Sequence, residues 1–174
     1  MNSVAVVFKF SALESYSPRQ IRRHRELNPE LGARMQTAHD DHSRSLEKLR
    51  QLLADMGIKA DFHERDALRQ SLDAYRFVVS LGGDGTFINA SHFAEKTLLL
   101  GVNSSPDNSV GHYCRFELKT KNGYASLRRQ LEAMLRSAKY PVPERALQRL
   151  HLAVQDRPAP FPVLNDVLFA GSRC

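Results

Sequence analysis

Residues 76–86 read Arg76-Phe77-Val78-Val79-Ser80-Leu81-Gly82-Gly83-Asp84-Gly85-Thr86. An apolar, β-branched run ends here in glycines gathered around one aspartate. Such a run suits a strand buried on both faces, and the stretch after it is compatible with a helix beginning near Thr86. Glycines lack Cβ atoms, so backbone amides in the turn can approach a phosphate closely. The start of the helix adds the positive end of its dipole. The turn sits at the carboxyl end of a strand, where open α/β sheets bind ligands. Asp84 is the one carboxylate in this anion-friendly turn. Beside phosphates it suits a group that orients a hydroxyl, accepts its proton or helps to hold Mg²⁺. The plain structural alternative makes Asp84 the N-cap of an ordinary glycine turn. No lysine follows the glycines, so this is not a Walker A loop, and the spacing is not G-x-G-x-x-G.

Outward from this stretch, strand and helix patterns alternate. Residues 4–10 form a short apolar run that predicts a first strand. Residues 11–37 are polar and poorly periodic, with one short helix expected after Pro18. Residues 40–56 predict the clearest helix, with Leu46, Leu49, Leu52, Leu53 and Met56 on one face and Gly57 as its stop. Strands are expected at 58–63, 75–81 and 97–102, with a short helix or loop at 65–72, a helix at 86–95 and a loop at 104–111. A helix over 123–138 carries Tyr124, Leu127, Leu131, Met134 and Leu135 on one side and ends at Pro141 and Pro143. Residues 147–155 alternate, with Leu150, Leu152 and Val154 on one face, which predicts a half-buried strand. A turn with Pro158, Pro160 and Pro162 leads to a last strand at 163–170. This order argues an α/β fold with an open parallel sheet.

The chain has 174 residues, 42% hydrophobic and 25% charged, with a formal net charge of +6. These values exclude a disordered or fibrous chain. No apolar run reaches the roughly 20 residues of a membrane helix, and residues 1–10 lack the basic lead of a signal peptide. The two cysteines, Cys114 and Cys174, cannot build a disulfide framework or a four-ligand zinc site. A cytoplasmic protein with no membrane partner is expected. Between residues 121 and 149 stand seven basic and two acidic residues, a local charge of +5. That window suits either an anionic partner or a solvated helix face. A nucleic-acid-binding reading rests on this charge alone and lacks stacked aromatics on a basic sheet, so no nucleic-acid partner is expected.

Three segments together resemble the NAD kinase family, most closely its mitochondrial-type members and their bacterial relatives. The first is Gly82-Gly83-Asp84-Gly85-Thr86 after a buried strand, shared with the wider superfamily of diacylglycerol, sphingosine and 6-phosphofructo-kinases. The second is Gly101-Val102-Asn103-Ser104-Ser105-Pro106 with Ser109-Val110-Gly111-His112-Tyr113-Cys114. The third is Leu164-Asn165-Asp166-Val167, similar to the family's Asn-Glu motif with Asp for Glu. The Gly-Thr-Gly-Asn-type stretch expected of a lipid kinase is absent from the sequence.

The resemblance implies a Rossmann-like domain over residues 1–146. Residues 147–174 would then lead into a second, mostly β domain that is absent here, so the chain is expected to be an N-terminal fragment, incomplete as an enzyme. It implies phosphorylation of the 2′-hydroxyl of the adenosine ribose of NAD to give NADP, with Asp84 as general base. ATP or polyphosphate would be the donor, Mg²⁺ the counterion, and the complete protein a homo-oligomer, a dimer or larger. Gly82 and Gly83 would shape the phosphate-facing turn and Gly85 would lie against the nucleotide. Asn165 and Asp166 would hydrogen-bond the dinucleotide, with Asn103, Ser104 and Asn108 as weaker candidates and Phe87 as a packing surface for adenine. The competing readings are a nucleotide-binding module without turnover and a lipid or sugar kinase of the same superfamily.

Lesser signals have plainer readings. His39-Asp40-Asp41-His42 places two imidazoles three residues apart, but either aspartate serves equally as an N-cap, and no metal site is assigned. His63 and His112 read as hydrogen-bonded bystanders, and Cys114 as a small buried hydrophobe.

Overall fold

The computed structural model describes residues 3–136, 147–154, 156–158 and 162–164. Strand β1 is Ser3–Phe8, followed by helices α1 (Ala12–Ser15), α2 (Pro18–Leu27) and α3 (Pro29–Asp55). Then come β2 (Lys59–Glu64), a 3₁₀ turn at Arg65–Ala67, β3 (Phe77–Gly82), α4 (Asp84–Ser91), β4 (Leu98–Asn103), β5 (Phe116–Glu117) and α5 (Lys121–Arg136). Two short strands, β6 (Ala153–Val154) and β7 (Arg157–Pro158), form a separate antiparallel pair.

The five main strands make one parallel sheet in the order β2-β1-β3-β4-β5. The expected α/β fold with an open parallel sheet is therefore what the chain adopts. It is compatible with a Rossmann-like domain. The sequence order reverses between β1 and β3: the chain leaves β1 toward β2 on one side and returns to place β3 on the other. Open sheets of this kind bind ligands outside the carboxyl ends of the strands at such a switch point.

Alternation along the strands divides the core into two layers. Val4 and Val6 of β1 and Phe77, Val79 and Leu81 of β3 face Leu49, Leu52 and Leu53 of α3 and Leu127, Leu131 and Met134 of α5. Ala5, Val7 and Val78 face the opposite way, against Leu68, Leu72, Ala90 and Ala94. Both faces of β1 and β3 are thus covered, which explains why their sequences are continuous apolar runs rather than alternating ones. Arg76, just before β3, donates its Nη2 to the carbonyls of Met134 (2.9 Å) and Leu135 (2.8 Å) near the end of α5. A cation there also complements the negative end of the helix dipole.

Two expectations about the elements are corrected. The long helix begins at Pro29, eleven residues before the expected Asp40. Asn28 caps it by accepting from the Leu31 amide at 2.9 Å, and Pro29 takes the first helical position. Its polar first turns have no strong period because they pack on α1 and α2 rather than on the sheet. Asp40 and Asp41 therefore lie mid-helix and are not N-caps. Gly57, at φ +66°, ends the chain's turn out of this helix as expected.

The second correction concerns 147–155. In place of one half-buried strand there is an isolated bridge from Leu150 to Val163 and the short β6-β7 pair. Leu150 is 63% exposed, so the alternating face does not lie on the core. Alternation fixes which side chains share a face, but burial needs a partner layer, and the described residues supply none there. Of the expected last strand, only Val163 and Leu164 fall among the described residues.

Candidate functional site

The turn between β3 and α4 is as tight as its glycines permit. Gly82 ends the strand, Gly83 is the helix N-cap without a side-chain capping bond, and Asp84 is the first helical residue. The helix starts two residues earlier than Thr86. Asp84 does not cap its own helix. Its carboxylate reaches the loop after β4, where one oxygen accepts the amide of His112 and the other that of Tyr113, both at 2.8 Å. Charged acceptors on backbone amides make strong, directional bonds. The carboxylate is half-buried, it sits at the positive end of α4, and its orientation is set from two sides. Each oxygen keeps a further lone pair for a substrate hydrogen or a cation.

The three glycines have different duties. A Cβ on Gly82 would fall on the side chain of Thr86, 2.8 Å from its Cβ, and one on Gly83 would lie 2.8 Å from Ser109 Oγ. Both are required for close packing inside the turn. Gly85 is exposed, and a Cβ there would meet nothing within 4 Å. Gly85 is therefore the open face of the turn, where a ligand can lie against the backbone.

Asn103 closes β4 and pairs in register with Gly82. Its side chain is buried and engaged at both ends: Nδ2 donates to the Ser109 carbonyl at 2.8 Å and Oδ1 accepts the Ser105 amide at 3.1 Å. The structure thus gives Asn103 to the shape of the 104–113 loop. Ser104 is buried, and its carbonyl accepts Ser45 Oγ at 3.0 Å. Asn108 donates to Ser105 Oγ at 2.9 Å. Phe87 is buried and stacks on Tyr113 with ring centroids 5.3 Å apart, so its ring is used by the protein. Asn165 and Asp166 lie outside the described residues.

A buried carboxylate that the sequence did not single out for this purpose ties the loop to α3. Asp41 accepts Arg44 Nη2 at 2.7 Å and Ser105 Oγ at 3.3 Å, and pairs with Lys119 Nζ at 3.5 Å. Lys119 also pairs with Asp107. Burial alone raises the Asp41 pKa. The hydrogen bond from Arg44, the charge of Lys119 and the Ser105 hydroxyl outweigh it and hold Asp41 below the ordinary aspartate value. The signal available in the sequence was an acidic residue on the same helical face as Ser45 and Leu49, where an unpaired charge is disfavoured.

His39 and His42 do not converge on a metal-ligand set. His39 Nδ1 is hydrogen-bonded with Ser11 Oγ at 2.7 Å, and His42 is buried on the core side of α3. Among the described residues, no group of three or more His, Cys, Asp or Glu side chains gathers as a metal site. Cys114 follows the clamp on Asp84. Burial, and then the Asp84 charge, push its thiol up to about 12. It is a protonated, unreactive core thiol at neutral pH. Arg128 of the basic window pairs with Glu132 at 3.0 Å, and Arg149 donates to the Ser91 carbonyl. No helix among the described residues is long and apolar enough to cross a membrane.

No protein-family model matches the chain. Among curated proteins it is 28% identical over 121 residues to "Probable NADH kinase" of Oryza sativa subsp. japonica. The match covers 60% of this chain and 34% of that protein, so the chain spans about a third of the length of the relative it matches. The open parallel sheet, the fixed Asp84 and this match support a distant NAD kinase-like relationship.

Proposed function

We propose that this chain carries the Asp84 side of the active site of a kinase that phosphorylates the 2′-hydroxyl of the adenosine ribose of NAD or NADH. The observation that carries this reading is the clamp on Asp84. A carboxylate held by the His112 and Tyr113 amides stands at the switch point of a parallel sheet, next to the open backbone of Gly85. Orientation of this kind is what a general base requires.

The ribose hydroxyl gives its proton to an Asp84 oxygen as the hydroxyl oxygen bonds to the terminal phosphorus of ATP or polyphosphate. The bond from that phosphorus to the leaving phosphate oxygen breaks, and its electron pair stays with the leaving group. The turn amides and the N-terminus of α4 offset the negative charge there. Mg²⁺, when bound with the donor, supplies further charge neutralisation. One carboxylate beside phosphate oxygens and water fits the few protein ligands this ion takes. Gly82 and Gly83 keep the turn compact, and Asn103 shapes the loop that holds Asp84. Asn165 and Asp166 remain assigned to the dinucleotide on the resemblance alone.

The test is NADP or NADPH formation from NAD or NADH, ATP and Mg²⁺ by the product of the whole natural reading frame, beside its Asp84→Asn variant. Product from the first that is lost in the second supports the reading. Equal NAD binding with no product from either, with ATP or polyphosphate, replaces it with a nucleotide-binding module. Turnover of diacylglycerol or fructose 6-phosphate instead replaces it with another kinase of the superfamily.

A further inference from the structure

The strand registers define a row of residues along the carboxyl edge of the sheet. Phe8 of β1 is paired with Glu64 of β2 and with Leu81 of β3. Arg65, Lys9 and Gly82 are the next residues in the chain after these paired positions, at the carboxyl ends of β2, β1 and β3, and Gly82 is paired with Asn103. Lys9 therefore flanks the β1–β3 switch point from the side opposite the glycine turn.

Its environment is unusual for a lysine. Lys9 is half-buried, and among the described residues it makes no ion pair with a carboxylate. Its neighbour Arg65 is occupied by Asp66 through two bonds, at 2.8 and 3.0 Å, and Glu64 accepts the Asp66 and Ala67 amides. Burial, and then the Arg65 charge, hold the Lys9 ammonium below the ordinary lysine range. A partly desolvated cation without a counter-charge is costly to keep in a fold. Here it stands one strand from an anion-friendly turn.

We propose that Lys9 binds phosphate, its ammonium closing from the β1 side an anion site whose other wall is the Gly82-Gly83-Asp84-Gly85 turn. A lysine suits this place because it acts as a compact point charge with three donors on a flexible stem. The inference rests on the phosphoryl-transfer reading of the same site. The phosphate belongs either to the donor or to the pyrophosphate of the dinucleotide, and one ammonium serves both chemistries.

Inorganic pyrophosphate is the first probe, titrated into the full chain by calorimetry. Lys9→Gln is expected to weaken its binding about tenfold or more, as for the loss of one charge-assisted hydrogen bond. Lys9→Arg is expected to keep most of it. A second measurement needs no variant: pyrophosphate is expected to shield Lys9 of the wild-type chain from an amine-acetylating reagent, read by peptide mass. Titrations with ATP and with NAD then separate the sources, since the affinity that Lys9→Gln lowers names the phosphate bound. Equal pyrophosphate binding by a folded Lys9→Gln, or acetylation of Lys9 unchanged by bound pyrophosphate, overturns the role of Lys9 and leaves the kinase reading standing. A product of the whole natural reading frame that binds none of pyrophosphate, ATP and NAD overturns both.

Discussion

Asp84 accepts the backbone amide of Tyr113 at 2.8 Å, and the ring of that same Tyr113 stacks on Phe87, one helical turn beyond Asp84. The first turn of α4 and the loop after β4 are thereby locked together by one polar and one aromatic contact. The proposed base and its support form one unit, with several consequences.

Replacing Asp84 by Asn changes chemistry and stability together. The new amide nitrogen must face one of the two N–H donors, His112 or Tyr113, so one donor is left without an acceptor. Asp84→Asn is expected to lose about 10²- to 10⁴-fold in kcat, the usual worth of a general base. It should also lose about 0.5–1.5 kcal/mol of stability, the worth of one hydrogen bond, because the exposed His112 amide left over can turn to water. Turnover and urea unfolding on the same preparations check this. An unaltered unfolding midpoint would contradict the clamp.

Gly85 and Gly101 should respond oppositely to alanine. A Cβ on Gly85 meets nothing within 4 Å, and alanine is the better helix former, so Gly85→Ala should leave stability unchanged or raise it by about 0.5 kcal/mol. It should nonetheless raise the KM for the dinucleotide, because the methyl stands where the ligand would approach the backbone. A Cβ on Gly101 would press on the Tyr113 carbonyl, 2.9 Å from Cys114 Cα. Backbone cannot swing aside as a side chain does, so Gly101→Ala should cost about 2–3 kcal/mol. Thermal melts of both variants, with kinetics of the first, test the contrast.

Asp41 should contribute to the acid limb of stability. Its folded pKa lies below the ordinary value, so the unfolded chain binds its proton more readily. Its contribution is present above the ordinary value of 3.8 and is lost as pH falls through the depressed folded value. Asp41→Asn should lower stability at neutral pH and flatten the loss below about pH 4. Urea midpoints from pH 3 to 7 measure the difference.

Cys114 has the opposite sign. Its thiol is held protonated in the fold, up to about 12, so its contribution is complete below the unfolded thiol value near 8.5 and falls as pH rises above it. In a Cys174→Ser background, native Cys114 should react with iodoacetamide far more slowly than the urea-unfolded chain at pH 8.5. Equal rates would show an accessible thiolate.

The class of fold, and the strand end on which the proposed chemistry rests, were legible in the sequence alone. Apolar runs at 75–81 and 97–102 require cover on both faces, and the Gly82-Gly83-Asp84-Gly85 turn marks a strand end that only a small set of backbones can follow. Those are local signals, carried by period and by the lack of Cβ atoms. The tertiary structure decided everything that depends on distant partners. Helix α3 starts at Pro29 because its polar first turns lie on α1 and α2, a contact no periodicity records. Asp41, plausible as a cap from its neighbours in the chain, is a buried anchor because Ser105 and Lys119 come to it from across the fold. Asn103, legible as a ligand contact, spends its amide on Ser105 and Ser109. Asp84 faces the loop because His112 and Tyr113 present two free amides to it. Hydrogen bonds and charges are satisfied by whatever lies near in space, and only the folded sheet brings residues 41, 84, 105 and 113 to one edge.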